Sequence, residues 1–326
     1  MKNLTFLCVG SATQDVFLSN TPEFAPVCSN PEECFFEIPL GSKINVNKID
    51  FSTGGGATNA ATTFARAGER AIFMGQVAHD PAGASVIRMF DDEGIDTSGL
   101  AVVEKYHTAY TVLLLAPNGE RTVMIYRGAS THFQPENFDF NKVDRFDWLY
   151  LTTLNGNFEI LDEVLRGAKE RGAKVAFNPG KNELADQAKL KPLLADVDIL
   201  LANKEELKQC FAGESLEELV RHARNFCPVV VGTDGSNGAI AADKTSFAKA
   251  GLYEPNAEVL DRTGAGDSFG SAFVLAYARR LGIKTALIYG AANSDAVVKQ
   301  VGAKAGILSS YDDLHDMEID VKAANY

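Results

Sequence analysis

The stretch Asp261-Arg262-Thr263-Gly264-Ala265-Gly266-Asp267 carries the most chemically informative residues of the chain. Small residues, two of them glycine, stand directly before a helical pattern formed by Phe269, Ala272, Phe273, Ala276 and Tyr277. They therefore occupy a helix N-terminus, where unpaired backbone N–H groups and the positive end of the helix dipole form an anion site. Glycine lets a backbone approach a phosphate closely. Asp267 falls in the first turn, where the same dipole favours its ionised form. An ionised carboxylate beside a phosphate cradle can take the proton of an alcohol that attacks a γ-phosphoryl group. A bare G-x-G-D more often marks an ordinary capped helix. The full string, late in an α/β chain, favours the chemical reading.

Four further segments join it. Gly54-Gly55-Gly56-Ala57-Thr58-Asn59 opens a helical pattern, and Asp15 stands just past the first apolar run. Asn203-Lys204-Glu205-Glu206 follows a strand-like run and starts a helix, so Asn203 and Glu206, three apart, share a face. The same residues read as an N-cap and an acidic first turn. Thr233-Asp234-Gly235-Ser236-Asn237-Gly238 follows another strand-like run and taken alone is a turn. Asn178, in Phe177-Asn178-Pro179-Gly180, ends a strand as a turn facing the same cleft.

These segments resemble, in the expected order, the motifs of the ribokinase-like (PfkB) family of carbohydrate and nucleoside kinases. That family's C-terminal signature is typically Asp-Thr-Thr-Gly-Ala-Gly-Asp, and the chain departs from it at Arg262. The resemblance implies ATP and Mg²⁺, with Asp267 as catalytic base and Gly264, Ala265 and Gly266 as an anion hole. It places Asp15, Gly54, Gly55 and Asn59, with Asp267, against a sugar or nucleoside acceptor. Asn203, Thr233, Gly235, Gly238, Thr263, Gly264, Gly266 and Asn293 would serve the nucleotide. Asn203 and Glu206 would organise Mg²⁺ through water, since that ion keeps several waters and needs few protein ligands. Arg262 leaves a neighbouring monovalent-cation (K⁺) site open. Ribose-type sugars lead the acceptor classes, adenosine-type nucleosides follow, and a non-catalytic ligand-binding member is the remote alternative.

The elements that must position these groups read as βαβ units. Apolar runs at 4–9, 71–74, 147–151, 174–177, 198–201 and 228–231 alternate with helical patterns at 57–67, 83–92, 159–171, 204–211 and 216–226. This predicts an α/β, ribokinase-like three-layer fold with a mostly parallel sheet flanked by helices. Two β excursions, 17–51 and 100–127, leave a body of 1–16, 52–99 and 128–326 and are expected to form a small lid sheet. The first is expected to contain a hairpin of Cys34–Pro39 with Ile44–Phe51, and the second a hairpin about Pro117-Asn118-Gly119. Val112, Leu114, Val123 and Ile125, at alternate positions, predict one apolar lid face that covers the substrate or forms a homodimer.

Composition narrows the classes. Apolar residues make up 46 % of the 326, enough for a sizeable core, and the formal charge is −12. Non-specific nucleic-acid binding needs a basic footprint, which is missing. An acidic surface also repels anions, so a phosphate site must be built locally from backbone dipoles. Cys8, Cys28, Cys34, Cys210 and Cys227 are odd in number and lack C-x-x-C spacing, which predicts free thiols in a reducing cytoplasm. The first apolar run is too short for a secretory segment, and no run reaches the ~18–20 residues of a membrane span. His79, His107, His132, His222 and His315 are scattered and read as structural or surface groups. No P-loop, protein-kinase motif set, hydrolase elbow or dinucleotide fingerprint is present.

Overall fold

A computed structural model describes residues 3–30, 33–117 and 120–324. The chain opens with β1 (Thr5–Val9), β2 (Thr13–Ser19), β3 (Val27–Asn30), β4 (Glu33–Phe35) and β5 (Lys48–Gly54). Helix α1 (Gly56–Arg66), β6 (Arg70–Ala78), α2 (Pro81–Asp92) and β7 (Asp96–Val103) follow, then β8 (Ala109–Leu115) and β9 (Arg121–Tyr126). The next units are β10 (Trp148–Thr152), α3 (Phe158–Glu170), β11 (Lys174–Asn178), α4 (Lys181–Ala185) and α5 (Gln187–Leu193). After them come β12 (Ile199–Asn203), α6 (Lys204–Cys210), α7 (Leu216–Ala223), β13 (Val229–Thr233), β14 (Ala239–Ala242) and β15 (Ser246–Ala250). The chain closes with α8 (Ala265–Ala278), α9 (Gly282–Val298) and β16 (Ile319–Ala323).

Among the described residues a ten-stranded sheet runs β16-β15-β14-β13-β12-β11-β10-β1-β6-β7. It is parallel from β7 to β13 and antiparallel from β13 to β16. Its strands read as unbroken apolar runs because both faces are covered. Leu7 and Val9 of β1 join Leu149 and Leu151 of β10 in a core roofed by α3 to α7. Phe6, Cys8, Trp148 and Tyr150 point the other way, into a core roofed by α1, α2, α8 and α9. There Phe6 stacks on Phe64 with ring centroids 3.9 Å apart. Full burial of a side chain of that size contributes about 1.5–3 kcal/mol. Helix α8 is apolar on nearly every side because it is wedged against α1, α9 and the sheet. Its Ala272 and Ala276 let the neighbours approach closely.

A second sheet, ordered β5-β2-β8-β9, forms the lid. Its limits differ from the sequence expectation. All of β2 belongs to it, so the boundary at 16 and 17 cuts through a strand, while β7 stays in the large sheet up to Val103. Asp15 stands among buried residues of this strand. The expected hairpin of Cys34–Pro39 with Ile44–Phe51 is also replaced. Strand β4 pairs with β3, and β5 pairs with β2 instead. The β8–β9 hairpin forms as expected, with Asn118 and Gly119 outside the described residues.

Register splits the anticipated apolar lid face in two. Val112 lies opposite Met124 and Leu114 opposite Thr122, while Leu113 lies opposite Val123 and Thr111 opposite Ile125. Residues directly opposite share a face, so a single-residue offset sends Val123 and Ile125 to the other side from Val112 and Leu114. Asp15 pairs with Thr111, which puts Val123 and Ile125 on the Asp15 face.

The cysteine expectation needs one correction. Cys28 and Cys34 face each other across β3 and β4 and form a disulfide, with Cα atoms 4.0 Å apart. Strand pairing brings them together, which spacing alone does not reveal. Cys8, Cys210 and Cys227 are free and buried. No described helix is long and apolar enough to cross a membrane, and no described cluster of three or more His, Cys, Asp or Glu could hold a metal.

Candidate active site

Three strands of the parallel sheet end at one cleft. Asn178, Asn203 and Thr233 are the last residues of β11, β12 and β13, and all three line a cavity of about 180 Å³ with Glu206, Gly264, Gly266 and Asp267. Ligands of open α/β sheets bind outside the carboxyl ends of the strands, and this cavity has that position. Residues far apart in sequence meet there because parallel strands all deliver their C-terminal loops to the same edge.

One wall of this cavity is the start of α8. Gly264 is its N-cap and holds a left-handed conformation at φ +78°. A Cβ there would stand 2.4 Å from the Cβ of Ala303, so both backbone angle and space exclude a side chain. Ala265 donates its amide to the Arg262 carbonyl at 3.3 Å. The first-turn amides of Gly266 and Asp267 have no carbonyl behind them within the helix, and they carry the open donors. Thr263 turns away from the cavity. Its amide and hydroxyl both donate to Oδ1 of Asp261, at 2.9 and 2.7 Å, while Oδ2 accepts from the Gly302 amide at 3.0 Å. Asp261 is thus a buried clamp between the glycine-rich loop before α8 and the segment after α9.

Asp267 sits partly buried at the cavity floor. Its Oδ2 accepts from Nδ2 of Asn59 at 2.7 Å. Burial pushes its pKa up, while the Asn59 hydrogen bond and the positive charge of Lys304 oppose that rise. Gly54, the last residue of β5, and Gly56, the first of α1, make room for two carboxylates. A Cβ on Gly54 would stand 2.1 Å from Oδ2 of Asp15, and one on Gly56 would stand 3.1 Å from Oδ1 of Asp267. Gly55 is the N-cap of α1. Asp15 lies within the buried part of β2, where burial pushes its pKa up to about 6 against the pull of Lys304 and a hydrogen bond from Thr111.

Asn203 and Glu206 form a reciprocal capping box on α6. Asn203 Oδ1 accepts from the Glu206 amide at 2.9 Å, and Glu206 Oε2 accepts from the Asn203 amide at 2.8 Å. Cap and cavity wall are therefore the same residues. Burial and the nearby charge of Asp267 raise the Glu206 pKa, which a divalent cation would offset. A carboxylate beside an amide, open to a phosphate-sized cavity, suits an ion that keeps most of its water.

A second cavity, of about 460 Å³, opens on the other side of Gly266. Thr233, Gly235 and Gly238 line it together with Arg262. Its apolar wall is Leu252, Tyr253, Pro255, Val259 and Phe269. The sequence reading missed the segment 251–259, which has no regular structure and no motif. Asn293 lies outside both cavities. It is fully buried, donates to the Ser268 carbonyl at 2.9 Å and accepts from the Leu308 amide at 2.9 Å, so α8–α9 packing consumes its side chain. Ala291, Ser294 and Asp295 of the same helix reach the cavity instead.

Lys304 is the functional candidate that the sequence reading missed entirely. It is 5 % exposed, and its ammonium contacts the Thr53 carbonyl, Thr58 Oγ1 at 2.9 Å and Asn59 Oδ1 at 2.6 Å. Burial pushes its pKa down to about 7, against the charges of Asp15, Asp267 and Glu93. Its only sequence signal is a lone lysine among small residues, Gly302-Ala303-Lys304-Ala305-Gly306.

A carboxylate, open amide donors and an acid–amide pair therefore meet between two cavities. Residues 28–309 match the family model for pfkB family carbohydrate kinases. The chain belongs to the pfkB family. It is an ATP-dependent phosphotransferase for a sugar or nucleoside. It is 29 % identical over 256 residues to an ATP-dependent ribose-1-phosphate kinase of Halopiger xanaduensis, covering 78 % of this chain and 83 % of that one. It is 24 % identical over 291 residues to a ribokinase of Haemophilus influenzae, covering 85 % and 91 %. In fold it resembles the Arabidopsis thaliana ribokinase complexed with ribose and ATP, with a TM-score of 0.76 at 22 % identity over 94 % of this chain and 96 % of that one. The adenosine kinase of Sinorhizobium meliloti is similar at 0.75 and 20 %, over 93 % and 96 %. This pfkB kinase has the three-layer fold expected from its sequence.

Proposed function

We propose that the protein transfers the γ-phosphoryl group of ATP to a hydroxyl of a ribose-type sugar, with Asp267 as general base. The observation that carries this reading is the place of Asp267, on the first turn of α8 between open amides and the Asn59 side chain. The nucleotide lies in the larger cavity, its base against Leu252, Val259 and Phe269 and its phosphates toward Gly266. The acceptor lies between Asp15, Gly54, Gly55 and Asn59, beneath the lid. Asp15 accepts hydrogen bonds from a vicinal diol.

Asp267 takes the proton of the acceptor hydroxyl as its oxygen bonds to the γ-phosphorus and the bond to the leaving ADP oxygen breaks. The amides of Gly266 and Asp267 hold the charge of the transferring group without reorganising. Asn203 and Glu206 hold a hydrated Mg²⁺, which neutralises phosphate charge when bound. The lid excludes water that would otherwise accept the phosphoryl group. Ile49, Phe51, Met124 and Tyr126, on the lid face away from Asp15, are exposed and apolar. That face docks a second copy of the chain, giving a cytoplasmic homodimer.

ADP release is measured across ribose, fructose, ribose-1-phosphate, adenosine and other nucleosides, with Asp267→Asn in parallel. A pentose that stimulates turnover in the parent and not in the variant supports the reading. A nucleoside that does so while pentoses fail moves the chain to the adenosine-kinase class. ATP binding with no productive acceptor would leave a ligand-binding member. Running the assay in potassium and in sodium chloride decides whether a monovalent cation takes part.

A further inference from the structure

Lys304 has three hydrogen-bond partners, and each one can only accept from it. The Thr53 carbonyl and Asn59 Oδ1 carry no proton. The Thr58 hydroxyl spends its proton on the Gly54 carbonyl at 2.8 Å or the Gly55 carbonyl at 2.9 Å, so it faces Lys304 with a lone pair. Three acceptors require three N–H donors, which only the ammonium form provides. The hydrogen-bond geometry therefore favours the charged form of Lys304, against the downward push of burial.

That charge has a consequence one bond further on. An ammonium cannot face an amide NH₂, so the oxygen of Asn59 must point to Lys304 and its nitrogen to Asp267. The nitrogen indeed donates to Oδ2 of Asp267, and no described group donates to Oδ1. We propose that Lys304 is a positioning residue, whose ammonium locks the Asn59 amide so that Oδ2 of Asp267 is held and Oδ1 alone takes the acceptor's proton. This rests on Asp267 being the base.

The surroundings show a built device. Arg66 of α1 donates to the Lys304 carbonyl at 2.7 Å and to the Ile307 carbonyl at 3.1 Å, while its remaining nitrogens hold Glu93 at 2.6 and 2.9 Å. Asp261 holds Gly302, two residues before Lys304, through its amide. The backbone of Lys304 is thus fixed from two sides before any substrate arrives, which keeps a reacting geometry from drifting. The charged groups that face Lys304 are Asp15 from β2, Asp267 from α8, Glu93 after α2 and Arg66 from α1. Its positive charge also lowers the proton affinity of both Asp15 and Asp267.

The test compares Lys304→Gln, Lys304→Met and Lys304→Arg in the full chain, each checked for folding by circular dichroism and thermal melting. The readout is the pH profile of kcat/KM. With the charge removed, the acidic limb should move to higher pH and kcat should fall by about 10²-fold, the scale of a misplaced reacting group. Lys304→Arg should keep the limb near its parental position. A limb that stays in place in Lys304→Gln overturns the proposal whatever happens to kcat. If Lys304→Met does not fold, Lys304→Gln, whose amide can donate or accept and so no longer fixes which way the Asn59 amide points, gives the answer. Asp267→Asn separates the two readings. An active Asp267→Asn removes the base itself, whereas an inactive one beside an unmoved Lys304→Gln profile removes only the role of Lys304.

Discussion

Asn59 and Asp267 are 208 residues apart in the chain and joined by a 2.7 Å hydrogen bond from Nδ2 to Oδ2. The bond ties α1, the first helix of the body, to the first turn of α8. Asp267→Asn should preserve this fold contact, because an amide oxygen also accepts, yet it cannot take a proton. Turnover should fall by about 10²–10⁴-fold, the usual contribution of a general base. ATP affinity, measured by titration calorimetry, should stay within a few-fold of the parent. A parallel collapse of ATP binding would show that Asp267 serves the nucleotide rather than the proton.

Asp15 and Asp267 both keep their protons to higher pH than usual. Asp15 is pushed from 3.8 up to about 6, and Asp267 is also raised. The ionised form of Asp15 is therefore lost on acidification around pH 6, and that of Asp267 at a higher pH than an ordinary carboxylate. The kcat/KM for the acceptor should therefore fall as pH drops through that range, well above the window of a free carboxylate. A profile flat down to pH 5 would contradict this account of the site.

Gly264→Ala forces a Cβ into the left-handed region and onto Ala303. The backbone cost alone is about 1–2 kcal/mol. Because the strain falls on the anion loop, phosphate binding should weaken along with stability. Thermal melting with and without ATP measures both, and ATP should raise the melting temperature less in the variant than in the parent.

Glu206→Gln keeps the shape of the capping box and removes its charge. The Mg²⁺ concentration for half-maximal turnover should rise several-fold, since removing a carboxylate weakens the hold on a hard cation. An unchanged Mg²⁺ requirement would reduce Glu206 to a cap.

Met124→Glu places a charge on the apolar lid face of the edge strand. Sedimentation should show monomers where the parent forms dimers. A parent that is already monomeric at micromolar concentration removes the dimer proposal.

Most of the parallel sheet was readable because each strand is a short apolar run that both helical layers demand. The string ending in Asp267 was readable because glycines and a carboxylate at a helix start combine in few other ways. Lys304 was invisible for the opposite reason. A single lysine in a loop of small residues is usually solvated, and its burial arises only when β5, α1 and α8 close around it. Asn293 was misplaced because helical position does not say which side of α9 faces the cavity. Its amide is spent on α8–α9 packing. The Cys28–Cys34 pair and the partner of β5 depend on strand pairing, which is a non-local choice. The same holds for the apolar lid face, where one residue of register separates the expected face from the observed one.

The lid sheet is stitched from three separate stretches, with β2 and β5 threaded between body elements and β8 arriving much later. Thr13 and Thr111, neighbours across it, are 98 residues apart. During synthesis β2 leaves the ribosome long before β8 exists, so the small sheet is completed only once β1, β6 and β7 of the body have been made, while β10 to β16 are still to come. Its acceptor preference is for the same reason not portable as a module. Transplanting the roof of a relative onto this chain takes three coordinated exchanges, and any one alone leaves a strand without its neighbour.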